Sequence, residues 1–196
     1  MRRATLLRHP RVAAAGLCYG RADVALAATA EAEIAAALVT TPPVRAVVAS
    51  PSLRARALAE PLAARDGVAL TLDPRLAELD FGAWEGRPWA EIDRAESDPW
   101  AEDPETRAPP GGERFADLRA RVRAALADLP EGAAVVAHAG PIRAARMIVD
   151  GWSFEAAFAW AVPYAVPIAL EGASASIALE GASASTSQGG VWPTSR

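Results

Sequence analysis

Ala4-Thr5-Leu6-Leu7-Arg8-His9 and, far along the chain, Ala133-Ala134-Val135-Val136-Ala137-His138 are two short apolar runs, each ending in a histidine. A run of four to eight apolar residues bounded by turn residues reads as a fully buried strand. The chain has only two histidines, and both stand in this position. In open α/β sheets ligands bind beyond the carboxyl ends of the strands. The two imidazoles are therefore expected to converge on one crevice, with Arg8 beside the first. A nucleophile of near-neutral pKa next to a permanent cation points to chemistry on an anion.

Working outward, further strand-like runs cover residues 44–49 and 68–72. A weaker one at 166–170, with Pro163 and Pro167 nearby, predicts an edge strand. Helical patterns alternate with these runs. Residues 29–39 are alanine-rich, with Ile34 and Leu38 on one face. Ser50-Pro51 reads as an N-cap and first-turn proline for a helix running to about residue 65. Residues 113–129 place Phe115, Leu118, Val122, Leu126 and Leu129 on a single stripe. Gly140-Pro141 opens a helix through 149, and Ser153 caps a short one at 154–160. This alternation predicts a three-layer α/β fold, a mostly parallel central sheet with helices on both faces.

Residues 78–112, rich in Trp, Pro, Gly and acids, break the rhythm and are expected to form a wall or lid over the crevice. Residues 1–180 read as one domain. Nine residues, IALEGASAS, occur twice in tandem at 168–176 and 177–185; two units are too few for a solenoid. The Ser, Gly and Thr content of 181–196 predicts a disordered tail.

Composition narrows the function. All twenty basic residues are arginine and the net charge is −4, which argues against a nucleic-acid binder with a broad basic face. Phosphate recognition would have to come from a few focused arginines. One cysteine, Cys18, excludes an internal disulfide and fits a reducing compartment. Arg8, His9 and Arg11 interrupt any secretion-signal apolar core, and no apolar run approaches the roughly 20 residues that span a bilayer. A cytoplasmic protein with no membrane partner is expected; oligomeric state is left open.

Three more residues carry chemistry. His138 precedes Gly140 and an expected helix start, whose exposed N–H groups would welcome a phosphoryl oxygen. Arg54 falls in a first helical turn, where a cation opposes the helix macrodipole by about 0.3–1 kcal/mol, and a bound anion would offset that. Glu78 opens Glu78-Leu79-Asp80-Phe81-Gly82-Ala83-Trp84-Glu85-Gly86. A carboxyl beside aromatic surface can be desolvated toward general-acid duty. Spacing alone does not separate Glu78 from Asp80 or Glu85 for that role, and Trp84 reads as packing.

Leu6-Leu7-Arg8-His9, Ala49-Ser50-Pro51 with Arg54, Glu78 through Gly86, Pro110-Gly111-Gly112-Glu113 and His138-Ala139-Gly140 occur in one order over residues 2–170. Together they resemble the histidine phosphatase superfamily, which includes the phosphoglycerate mutases. Cys18-Tyr19-Gly20-Arg21-Ala22-Asp23 and the ELDFGxWEG run look most like its alpha-ribazole phosphatase branch, which acts in cobalamin assembly. The resemblance implies a phosphoglycerate mutase-like fold and a phosphomonoester hydrolase acting on a small phosphorylated metabolite. It implies that His9 attacks phosphorus to form a phosphohistidine. Arg8, Arg54 and His138 would surround the non-bridging oxygens, and Glu78 would protonate the leaving group. Arginine forks and a cationic imidazole would take the place of metal ions, so no cofactor and no metal is expected. The alternatives are a mutase-type phosphotransferase and a non-catalytic phospholigand-binding module. The sequence departs from the common family pattern at Pro10 (usually Gly, then Thr and Asn further on), at Ala137 (often Ser or Thr) and at Arg114 (often Ser).

Overall fold

The computed structural model describes residues 3–172. The second IALEGASAS copy and the tail at 181–196 lie outside the described residues. Four strands, β1 (Arg3–Arg8), β2 (Ala46–Ala49), β3 (Leu70–Leu72) and β4 (Ala133–Ala137), run parallel, and β5 (Ile168–Glu171) joins β1 antiparallel at one edge. The order across the sheet is β3-β2-β4-β1-β5. The edge position of β5 agrees with the prolines that precede it.

Both faces of the sheet are covered, which is why its central strands read as unbroken apolar runs. On one face Leu7, Val47, Ala134 and Val136 pack under α1 (Ala30–Thr40) and α2 (Leu53–Asp66). On the other, Leu6, Val48 and Val135 pack under two further helices. These are α4 (Phe115–Ala127), in chain order after α3 (Arg94–Glu102), and α5 (Ala139–Val149), with α6 (Phe154–Ala159) against α5. The stripe of Phe115, Leu118, Val122, Leu126 and Leu129 is buried throughout. This is the three-layer α/β arrangement expected.

Local details differ from expectation. Ser50 does not cap α2; the chain stays extended through Ser52, and the Leu53 N–H is capped by the Asp23 carboxylate at 2.9 Å. The Ser50 hydroxyl is drawn away by His138. Helix α5 begins at Ala139, with His138 itself at the N-cap. Residues 78–112 are not wholly irregular. They hold single 3₁₀ turns and α3, whose Asp93 accepts from the Ala95 N–H at 2.9 Å. Pro99 reads as a break, yet the helix persists past it because Trp100 is buried against Trp84, ring centroids 5.4 Å apart.

Two distant loops are laced into one wall. The Cys18 N–H donates to the Arg87 carbonyl (2.8 Å), Gly86 N–H to the Cys18 carbonyl (2.7 Å) and Trp89 N–H to the Gly16 carbonyl (2.9 Å). The Glu85 carboxylate then accepts from the N–H groups of Gly20, Arg21, Ala22 and Phe81. Burial alone would push its pKa up, but these backbone donors outweigh burial and hold it below the ordinary value. Trp84 is fully buried and donates its indole N–H to Glu96, a packing role as expected.

Leu118 is fully buried on α4, so Leu118→Ala should cost about 2–5 kcal/mol in urea-induced unfolding. Val39 is 85% exposed, and Val39→Ser should stay within about 0.5 kcal/mol.

Candidate active site

The register of β1 on β4 pairs Arg8 with Ala137, and the His9 N–H extends the ladder by donating to the Ala137 carbonyl at 3.0 Å. His9 and His138 therefore leave adjacent parallel strands at the same level. Their ring centroids lie 5.1 Å apart, and both residues are buried.

Burial pushes the His9 imidazole down to about 3, with the cations of Arg54 and Arg8 adding to the shift against the Pro10 carbonyl. The ring is neutral, so Nδ1–H donates to the Pro10 carbonyl at 2.7 Å and Nε2 keeps its lone pair. Pro10, which stands where glycine is common, thus supplies the acceptor that sets the tautomer. His138 is likewise held well below its ordinary value, by burial first and then by His9, Arg54 and Arg8. The imidazole expected to be cationic at this position is held neutral by these surroundings. Its Nε2 meets Ser50 Oγ at 2.8 Å and Ser52 Oγ at 3.3 Å, and its buried Nδ1 has no partner among the described residues.

Two guanidiniums flank the pair. Arg8 donates to the Val162 carbonyl (2.9 Å) and the Tyr164 hydroxyl (2.8 Å), and its plane lies 3.6 Å from the Tyr164 ring centroid. Arg54 is buried and donates to the carbonyls of Gly20 (2.5 Å) and Ala22 (2.8 Å). Burial lowers its pKa, and Glu78, Tyr19 and Asp23 oppose that shift. The buried Nε groups of both arginines have no partner among the described residues. Buried unpaired donors are uncommon and call for an explanation.

Glu78 is the acid that reaches this site. Its carboxylate accepts from the Gly140 N–H at 3.1 Å and the Leu79 N–H at 3.0 Å. A Cβ on Gly140 would overlap Glu78 Oε1, so this approach requires glycine. The α5 N-terminus is thereby taken by a carboxylate, not left open to a phosphoryl oxygen as expected. The rivals are spent elsewhere: Glu85 on the backbone groups above, Asp80 on the Gly82 N–H at 2.8 Å.

Sequence reasoning missed several groups. Arg121 on α4 uses all five of its N–H donors. Two go to the Glu113 carboxylate (2.7 and 2.8 Å) and three to the carbonyls of Arg75 (2.6 Å), Ala77 (2.7 Å) and Glu78 (3.0 Å). This pair clamps the backbone that presents Glu78. Tyr19 and Tyr164, the only tyrosines in the chain, both reach the site. Arg143 lies one turn after Ala139 and Gly140 on α5, so its face was predictable from helical spacing. A cavity of about 220 Å³ opens here, lined by Arg8, His9, Glu78 and Arg143 among others; Arg54 and His138 are not among its lining residues. Leu79, Phe81, Trp89 and Pro104 bring residues 78–112 into its wall. Among the described residues no group of three or more His, Cys, Asp or Glu is placed to hold a metal ion. No described helix is long and apolar enough to cross a membrane.

The family model of the histidine phosphatase superfamily (branch 1) matches residues 4–181. The chain belongs to this superfamily. Among similar solved structures, TTHB049 from Thermus thermophilus is 28% identical over 86% of this chain and 93% of that one, with a TM-score of 0.70. The mycobacterial glucosyl-3-phosphoglycerate phosphatase Rv2419c is 30% identical over 76% of this chain and 80% of that one, with a TM-score of 0.66. A structure from Escherichia coli K-12, named provisionally an alpha-ribazole-5'-P phosphatase, shares the fold at a TM-score of 0.76 and 24% identity, over 86% and 89% of the two chains. The bifunctional protein Rv2228c of Mycobacterium tuberculosis H37Rv is 40% identical over 121 residues, 56% of this chain. The chain covers 32% of the length of that relative.

The buried neutral imidazole has a measurable consequence. Unfolded, His9 would bind a proton near pH 6.5; folded, it does so only near pH 3. Between these values the unfolded chain holds more protons, so stability falls as pH drops through this window. His9→Gln removes this contribution, and thermal unfolding between pH 7 and 4 should show a smaller fall in Tm than in the unaltered protein. Equal falls would contradict a neutral, buried His9.

Proposed function

We propose that the protein is a phosphomonoester hydrolase working through a phosphohistidine on a small phosphorylated metabolite. One observation carries the reading. A neutral imidazole with its Nε2 lone pair free stands between a second imidazole and two arginines that keep unpaired buried donors. His9 Nε2 attacks phosphorus and the bond to the alcohol oxygen breaks. The phosphoryl dianion beside Glu78 favours its protonated form, and that proton passes to the departing oxygen. Water then attacks the phosphohistidine, yields a proton to Glu78, and inorganic phosphate leaves with His9 restored. Arg8 and Arg54 meet the oxygens that carry growing charge. A dianion brought between the two rings favours protonation of His138, which then becomes a third donor. These groups supply the charge stabilisation that other phosphatases draw from metal ions, and no metal requirement is proposed. The motif at 18–23 and the ELDFGxWEG run favour alpha-ribazole 5'-phosphate among candidate substrates, with a role in cobalamin assembly. The lone, buried Cys18, its thiol pushed up to about 12 mainly by burial, accords with a cytoplasmic setting.

With 4-nitrophenyl phosphate as substrate, His9→Ala should lower turnover by about 10³-fold or more, and a chelator should leave the unaltered protein's rate intact. Retention of the full rate by His9→Ala would refute the nucleophile.

General acids contribute about 10²–10⁴-fold, and that contribution matters only when the leaving oxygen needs a proton. Glu78→Gln should therefore slow alkyl phosphates by about that factor and 4-nitrophenyl phosphate far less. Arg121→Met should show the same leaving-group signature at about tenfold, because it loosens the backbone carrying Glu78. Arg121→Lys should recover part of it. Equal losses on both substrate types would count against Glu78 as the acid.

A further inference from the structure

The cavity's lining changes character away from the reacting groups. Beyond Arg8, His9 and Glu78 it is formed mostly by Leu17, Leu79, Phe81, Trp89, Phe115 and Phe158. Its rings come from two separate aromatic clusters that face one space. Phe81 and Trp89 meet edge to face at 5.6 Å, and Phe115 and Phe158 do so at 5.0 Å. Trp89, stacked on Trp100 at 6.1 Å, still leaves 38% of its surface in water. Rings left half-wet at the mouth of a cavity are unburied apolar area that a ligand can cover.

Arg8 and Arg143 contribute positive charge, Glu78 a negative one, and the His9 ring is neutral. Arg143 donates to the Trp160 carbonyl at 3.0 Å and lies 4.9 Å over the Phe158 ring, and its buried Nε has no partner among the described residues. Burial lowers its pKa, with Glu78 opposing the shift. The Tyr19 hydroxyl is hydrogen-bonded to Tyr164. Size is compatible: an apolar protein cavity of about 150 Å³ holds one benzene ring, and the open cavity here, of about 220 Å³, has room for a ring beside the phosphoryl group.

We infer that the alcohol half of the substrate carries an apolar ring, seated between the Phe81–Trp89 and Phe115–Phe158 pairs, and that this ring, not a second anionic group, is what the cavity selects. The inference rests on the phosphatase reading of His9 for its orientation, but not for its test. Equilibrium binding of three non-hydrolysable probes to the unaltered protein decides it: benzylphosphonate, methylphosphonate and phosphonoacetate, compared by calorimetry. Benzylphosphonate should bind at least tenfold more tightly than methylphosphonate, and phosphonoacetate no more tightly than methylphosphonate. Trp89→Ala should narrow the benzyl-to-methyl ratio at least threefold. Should that variant fold poorly, the ranking by the unaltered protein still decides. Equal affinities, no binding of benzylphosphonate, or tightest binding of phosphonoacetate would overturn the inference. Turnover is read separately: the expected ranking without His9-dependent hydrolysis would refute the phosphatase reading and leave the ring site standing. Hydrolysis without the ranking would do the reverse.

Discussion

The hydrogen-bonded ladder between β1 and β4 is the constraint on which the site depends. Parallel pairing brings both carboxyl ends to the same edge, and the bond from His9 N–H to the Ala137 carbonyl carries the ladder one step beyond Arg8. A one-residue slip would turn His9 to the opposite face of the sheet. Both strands are buried on both faces, so the packing of Leu6, Leu7, Val135 and Val136 holds this register. The encounter of two imidazoles from distant parts of the chain is thus a by-product of core packing. The site needs no local device to hold the rings together.

The charged groups of the site are each held by partners within the fold. Arg8 and Arg54 are kept in place by carbonyls and by Tyr164, while Glu78 is kept by backbone N–H groups. Charged groups so placed need little rearrangement when an anion arrives, which is the condition for strong stabilisation of developing charge. The neutral histidines are the variable element. Their surroundings suppress protonation, and a dianion reverses that pressure.

Much of the fold was legible because buried parallel strands and amphipathic helices leave periodic signatures. The runs ending in His9 and His138 and the stripe on α4 needed no tertiary information. Arg54 was legible from its place in a first helical turn, and Glu78 was one of three acids that spacing could not rank. The structure separates them by partners: Asp80 and Glu85 serve backbone N–H groups in the wall, while Glu78 sits against Gly140. What stayed hidden depends on long-range pairing with no periodic trace. Arg121 reaches the carbonyls around Glu78 from 43 positions away, and Ser50 turns from capping duty to His138. Helix α3 was masked by Pro99, because burial of Trp100 cannot be read from local propensity.

The interlocked loops at 16–20 and 85–89 give the cavity a wall made of two backbones that share hydrogen bonds. Neither can change length alone without stranding polar groups of the other. A change of ligand preference is therefore made at less structural cost by side-chain substitution at points such as Leu17 and Trp89 than by altering the length of either loop.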